Sequence, residues 1–600
     1  MQLTGPDFVV IAAYGLVVLV IGWIFASRAG ASVEDYFVAG RRLPWWLAGT
    51  SIAATWFAAD APLATAGIVR ERGIVANWLW WYEGTGVLFL VFFYAKLWRR
   101  AGILTDAEFI ELRYSGRPAA LLRGFSAIYQ GVLKNAVVMG WVMLAMVKFS
   151  QVLLGWDPVV TLVVAGLIAL SYTAASGLWG VVATDLLQFV VGMIGSLILA
   201  VLVLARVGGP RGLANGVRGL ADAPPAALDL MPHSSHMGSL ELASFLCLIL
   251  FLWVRSGQGD GYVAQRLFAT KNERQSLLAA LWFALAGIVL MTWPWVVVGL
   301  GSLLVLPAAS AAPTLVADPE LAYPMMIGEL MPVGLRGLVV AAFLAAFMST
   351  MDTHLCWGAS YLVNDVYRRF LRRDASESHY VRASRVAVLL LAVVAAVSAW
   401  QMTSIQRAWI YVIELTAGVA FVWLLRWYWW RVNAWAEIAA MVASLVLANG
   451  GLIARGLAAA GLLPGGWETN LLLVYGSEYD FIRATGIVLV STVLWMTVAL
   501  LTPPDDPARL DAFYRRVRPA GWWGPVARSA PGVSVDGGSS ARWLGFFLST
   551  AFLYSALLGI GYVVTGRTLA GAAVGALSLV AGALTLRLAS REASSTAAES

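Results

Sequence analysis

The sequence predicts an all-α polytopic membrane protein of about 13–15 transmembrane helices, each needing roughly 20 apolar residues. Three observations carry this. Of the 600 residues 60% are hydrophobic and only 12% charged, against about 25% charged in a soluble domain. Apolar runs of spanning length recur from one end of the chain to the other. The basic residues gather in alternate short loops, the distribution that orients membrane helices.

About fifteen spans are read from the hydropathy pattern, near 8–28, 46–69, 77–98, 123–153, 157–177, 183–206, 239–256, 277–304, 335–363, 383–401, 406–428, 434–459, 481–502, 541–564 and 567–588. The first lacks a basic leader and a small-residue cleavage site, so it is expected to be retained rather than removed as a signal peptide. The loops holding residues 41–42, 96–123, 266–274, 368–385, 426–431 and 509–518 are rich in arginine and fall on one side; loops 207–238, 305–334 and 460–480 are poorer in Lys and Arg. This predicts a multi-pass protein of the cell membrane with its N-terminus outside and C-terminus inside. The net charge of +7 is accounted for by those loops, so membrane lipid and not nucleic acid is the expected surroundings. Cys247 and Cys356 both lie in apolar spans and are too few for a disulfide framework. His233 and His236, in an outer loop, have no third metal ligand near them in sequence.

Two spans are interrupted. The second carries Thr50, Ser51, Thr55, Asp60 and Pro62, and the seventh ends in the glycine-rich run 253–261 (WVRSGQGDG), where each glycine weakens a helix by about 1 kcal/mol. They are five spans apart. That spacing suits a carrier built from two five-helix inverted repeats whose first helices are discontinuous at the midplane. Residues 1–45 would then be an extra helix and inner loop, 46–430 a ten-helix core, and 431–600 peripheral helices with a short tail.

The ninth span holds the run 346–354, AFMSTMDTH. On a helix Ala346, Ser349, Thr350 and Thr353 share one face. A carboxylate such as Asp352 at the bilayer centre costs about 2.5–3.5 kcal/mol, so it is retained for a use. Hydroxyls and carboxylates are hard oxygen ligands suited to an alkali cation, which points to ion-coupled movement across a membrane. By helical angle Asp352 lies off the hydroxyl face, leaving both ion ligation and pairing with His354 or Arg255 open. Asp185 is expected near the start of the sixth span, where a helix N-terminus favours a carboxylate anyway. No metal cluster, nucleophile–base pair or phosphate loop is present in the pattern, so an enzyme is not expected.

These motifs resemble the sodium/solute symporter family, sodium-coupled carriers of sugar, proline, pantothenate or sialic acid. The resemblance runs over most of 35–430, through 35–46 (DYFVAGRRLPWW), 104–114 (LTDAEFIELRY), 184–188 (TDLLQ), Gln265–Arg266 and 346–367, which ends in NDVY. It implies an inverted-repeat (LeuT-like) core and a sodium-coupled symporter of a small organic solute. It implies sodium bound by the carbonyls of Ala54, Phe57 and Ala346 with the hydroxyls of Ser349 and Thr350. Some relatives bind a second cation at positions that are Asp185 and Thr353 here; Asp352 departs from their pattern and could join that second site. The solute would be lined by Trp56, Asp60, Glu83, Asn135, Trp141, Trp253, Arg255, Ser256 and Glu414. Arg255 suits an anionic solute or an internal salt bridge to Asp260, Glu83 or Glu414. Trp56 stands where proline carriers have aspartate and sugar carriers asparagine, so neither specificity transfers directly. A proton-driven carrier titrating Asp352 and Asp185, and a membrane sensor keeping this fold, are the rival readings.

Overall fold

A computed structural model describes residues 3–29, 38–103, 105–173, 178–225, 227–259, 261–308, 312–463, 473–533, 535 and 539–598. Asp260, Leu104 and residues 35–37 of the lead-in motif lie outside the described residues.

Each predicted span has a helical counterpart. The helices are α1 (Gly5–Ala29), α2 (Trp45–Trp56 and Asp60–Arg72), α3 (Trp78–Trp81, Glu83–Phe93 and Ala95–Ala101), α4 (Gly116–Leu153), α5 (Pro158–Thr173) and α6 (Leu178–Val207). Then follow α7 (Ser239–Phe251 and Gly261–Phe268), α8 (Glu273–Val305), α9 (Leu335–Leu371), α10 (Glu377–Gln401) and α11 (Ile405–Ala417 and Ala420–Tyr428). The last are α12 (Ala434–Ala448 and Gly450–Ala459), α13 (Asp480–Leu501), α14 (Ser539–Val564) and α15 (Thr568–Ala598). Among the described residues 8 helices are long and apolar enough to cross a membrane, or 11 when each bent pair counts as one span.

The two interruptions are where the sequence puts them. The halves of α2 meet at 57°. Pro62 offers no N–H to the carbonyl of Ala58, and its ring would press on that carbonyl in a continuous helix; in the first turn of a new helix the same proline is tolerated. In α7 the chain leaves the helix after Arg255 and restarts at Gly261, with Gly259 and Gly261 at φ of +68° and +53°, backbone open to glycine. Two further bends were not anticipated: 42° in α11 and 61° in α12. The α11 bend is filled by serines, for Ser444 Oγ accepts the Gly418 N–H at 3.1 Å and Ser491 Oγ donates to the Gly418 carbonyl at 2.8 Å.

Helix packing repeats when five is added to each helix of the first half of the core and subtracted from each helix of the second. The α2–α8 contact has its counterpart in α7–α3, α6–α2 in α11–α7, α6–α9 in α11–α4, and α4–α10 in α9–α5. Two five-helix halves with equivalent neighbours follow from that pairing. The arginine-rich loops converge at one end. Arg41 donates to the carbonyls of Phe268, Gly102 and Ile103, Arg100 pairs with Glu273 at 2.7 Å, and Arg113 donates to the carbonyls of Arg426 and Val432. At the other end Lys148 of α4 pairs at 2.6 Å with Glu320, which accepts the Ile405 and Gln406 N–H groups at the start of α11.

Candidate functional site

Unwinding of α2 leaves backbone acceptors without donors. The last helical bond runs from the Phe57 N–H to the Ala53 carbonyl at 2.8 Å; among the described residues no backbone N–H returns to the carbonyls of Ala54, Trp56 or Phe57. Buried carbonyls in that condition need another partner. Facing them is α9: the Thr350 hydroxyl lies 3.4 Å from the Thr55 carbonyl while donating to Ala346 at 3.0 Å, one turn back. Ala54, Phe57, Ala346, Ser349 and Thr350 are all buried, none more than 3% exposed, so an ion held among them is shielded from bulk water. The Thr350–Thr55 contact brings α9 against the unwound end of α2, the two elements that carry the five groups assigned to one cation by the resemblance.

Beside them sits a second polar cluster. Asp185 on α6 is fully buried and accepts hydrogen bonds from Ser51 on α2 (2.5 Å) and from Ser349 on α9. Its helix begins at Leu178, so Asp185 is about two turns inside, too deep for the N-terminal dipole to account for it. The earlier start of α6 corrects that expectation. Arg266, on the second half of α7 and also buried, lies 3.9 Å from Asp185 and donates to Thr353 at 3.3 Å, Ser51 at 3.3 Å and Gln265 at 2.8 Å. Ser51 and Arg266 complete a network over four helices. Their polarity and the Gln265–Arg266 motif were visible in sequence, but their convergence was not. Asp352 is buried on α9.

The solute candidates divide. Glu83 on α3 and Arg255 at the α7 break form an ion pair at 2.8 Å; Tyr82 donates to Glu83 at 2.6 Å, Ser256 also donates to Glu83, and Arg255 donates to Thr416 of α11 at 2.8 Å. Of the partners considered for Arg255, Glu83 is engaged, whereas Glu414 pairs with Arg483 of α13. Trp56 meets Trp80 (ring centroids 5.3 Å) and Phe283 (4.7 Å) edge-on, and Trp80 reaches Trp409, whose indole donates to Asp60 at 3.0 Å. The other Asp60 oxygen is buried without a hydrogen-bond partner. Asn135 donates to the His354 carbonyl at 2.8 Å, with His354 Nδ1 2.5 Å from its own Oδ1, so it ties α4 to α9. Trp253 bonds back to the Leu250 carbonyl and packs on Phe89 toward α14. Trp141 is half-buried on α4. Tyr82, Trp80, Trp409 and Thr416 are members that sequence reading missed; as aromatics and a threonine in apolar spans they looked like packing.

The profile of the sodium:solute symporter family matches residues 36–446, more than half of the chain. The chain belongs to that family. Among curated relatives, the sodium/glucose cotransporter of Vibrio parahaemolyticus is 26% identical over 468 residues, covering 74% of this chain and 84% of its own length. A sodium/mannose cotransporter of Bos taurus is 24% identical over 578 residues, covering 90% and 93%. Among solved structures, a Na+-coupled sialic acid symporter in a substrate-bound outward-open state superposes with TM-score 0.66 at 20% identity, over 84% of this chain and 99% of that one. That likeness shows the LeuT-like fold. The symporter is a multi-pass membrane protein that couples sodium to a small-molecule solute, and its family is one of transporters. Sodium as the coupling ion sets aside the proton-driven reading.

Proposed function

We propose that the coupling sodium binds where α2 unwinds against α9, held by the carbonyls of Ala54, Phe57 and Ala346 and the hydroxyls of Ser349 and Thr350. The observation that carries the reading is the set of donor-less carbonyls at the α2 break facing buried hydroxyls on α9. Neutral oxygens suit this task, since they replace hydration water without adding net charge to a low-dielectric site. Sodium would draw the two helices together and order the broken segment that leads to Trp56 and Asp60. Each charge moved inward contributes about 2.3 kcal/mol per 100 mV of membrane potential. A second cation at Asp185 and Thr353, with Asp352 close by, requires Arg266 to withdraw from Thr353.

The solute reading places Glu83, Arg255 and Ser256 on one side and Trp56 and Asp60 on the other. Because the Arg255 charge is balanced by Glu83 at 2.8 Å, the pair supports a neutral polar solute over a carboxylate: paired, it still offers donors and acceptors but little net field. The ten helices α2–α11 would form the transporting core, with the arginine-rich end facing the cytoplasm and the N-terminus outside.

Purified protein in proteoliposomes tests the reading. Uptake of a solute found by thermal-shift screening, with neutral polyols and carboxylates both included, should require an inward sodium gradient. Ser349→Ala and Thr350→Ala should each raise the sodium concentration for half-maximal uptake. Unchanged sodium dependence in both variants would remove this site.

A further inference from the structure

We infer that α1 belongs to the sodium-binding machinery, with Asp7 as a positioning residue for α9; this rests on the proposed sodium site between α2 and α9. The helix that carries Ser349 and Thr350 has no cap of its own. Its N-cap residue is Gly334, at φ +85°, with no side-chain capping bond. The first N–H groups of a helix have no partner within it, and an oxygen supplied there stabilises the whole element. Asp7 supplies it from another helix. One carboxylate oxygen accepts the Gly334 N–H at 2.7 Å and the Gly337 N–H at 2.9 Å. The other accepts the Thr4 N–H at 3.0 Å and the Thr4 hydroxyl at 2.7 Å. Asp7 is fully buried, and its negative charge sits at the positive end of the α9 dipole.

The approach is closer than any side chain on α9 would allow. A Cβ on Gly337 would stand 2.4 Å from the Asp7 carbonyl oxygen and 2.6 Å from its Cα, so glycine is required there. From this anchor α1 runs along both α9 and α6, the two helices joined by the Ser349–Asp185 hydrogen bond. Ser349 lies twelve residues beyond Gly337, about 18 Å along a stiff rod. A helix whose end is fixed from outside has its rotation and axial height fixed with it. Those two quantities decide whether Ser349 and Thr350 face the α2 carbonyls. α1 is therefore a clamp on the α6–α9 pair, outside the ten-helix core but part of how that core presents sodium ligands.

The experiment compares Asp7→Ala, Gly337→Ala, Ser349→Ala and Thr350→Ala in sodium titrations of solute uptake, alongside solute titrations at saturating sodium. Asp7→Ala and Gly337→Ala attack the same contact from opposite sides. Both should raise half-maximal sodium roughly three- to tenfold, the scale of a lost helix cap, while solute KM at saturating sodium stays within about twofold. Asp7→Asn keeps the accepting oxygen and loses the charge, so it should fall between Asp7→Ala and wild type. If the alanine variants do not fold, the asparagine variant decides, through its sodium titration and the rise in its melting temperature on adding sodium. Wild-type sodium dependence in every folded Asp7 and Gly337 variant, beside a shifted Ser349→Ala or Thr350→Ala, overturns the role of α1 alone. Wild-type dependence in both Ser349→Ala and Thr350→Ala overturns the underlying site and this inference with it.

Discussion

The two broken helices occupy equivalent places in the two halves of the core, yet their breaks are filled differently. At the α2 break the carbonyls of Ala54, Trp56 and Phe57 receive no backbone donor among the described residues. At the α7 break several side chains and one carbonyl are engaged by the protein itself. The Gln258 carbonyl accepts from the Trp98 indole at 2.6 Å, and its side-chain oxygen accepts from Arg426 and Trp427 at 3.3 Å each. Arg255 and Ser256 in turn engage Glu83. The repeat supplies two breaks, and side chains fill them differently. An interrupted helix is thus not by itself a cation site; the proposal for α2 rests on what its freed carbonyls face.

The largest way to disturb this comparison is Arg266→Ala. It strands the buried Asp185 carboxylate without its cation, a change of about 3–5 kcal/mol for a broken buried pair. Thermal unfolding in detergent should drop strongly, and adding Asp185→Asn should recover much of the loss. Failure of that rescue would mean that Arg266 braces α7 for some reason other than charge. Next comes Thr350→Ala, with about a tenfold rise in half-maximal sodium, equal to about 1.4 kcal/mol, and little change in melting temperature. The smallest effect on sodium belongs to Gln258→Ala. It should cost about 1–2 kcal/mol of stability through the stranded Arg426 and Trp427 donors and leave half-maximal sodium within about twofold. A Gln258→Ala shift as large as that of Thr350→Ala would erase the distinction between the two breaks.

Much of this was legible because it is local. Spans follow from runs of apolar residues, and the α2 and α7 breaks from Pro62 and the 257–261 glycines. The shared face of Ala346, Ser349 and Thr350 follows from helical spacing alone. The bends of α11 and α12 were not legible, since the α11 bend depends on Ser444 and Ser491 arriving from other helices. Asn135 illustrates the same limit. Its place on α4 is legible, but its bond to the His354 carbonyl depends on how α4 packs against α9.

What the sequence by itself determined was the class of machine: a helical membrane carrier with two interrupted helices five apart and a hydroxyl face on the ninth span. These are properties of neighbours along the chain, set by hydrophobicity and backbone geometry. Only the tertiary structure decided the partners. It joined Arg255 to Glu83 across 172 positions, Ser51 to Asp185 across 134, and Asp7 to Gly337 across 330. Buried polar groups must find partners, but their strength gives no hint of which; helix packing decides that, because it alone sets which faces meet.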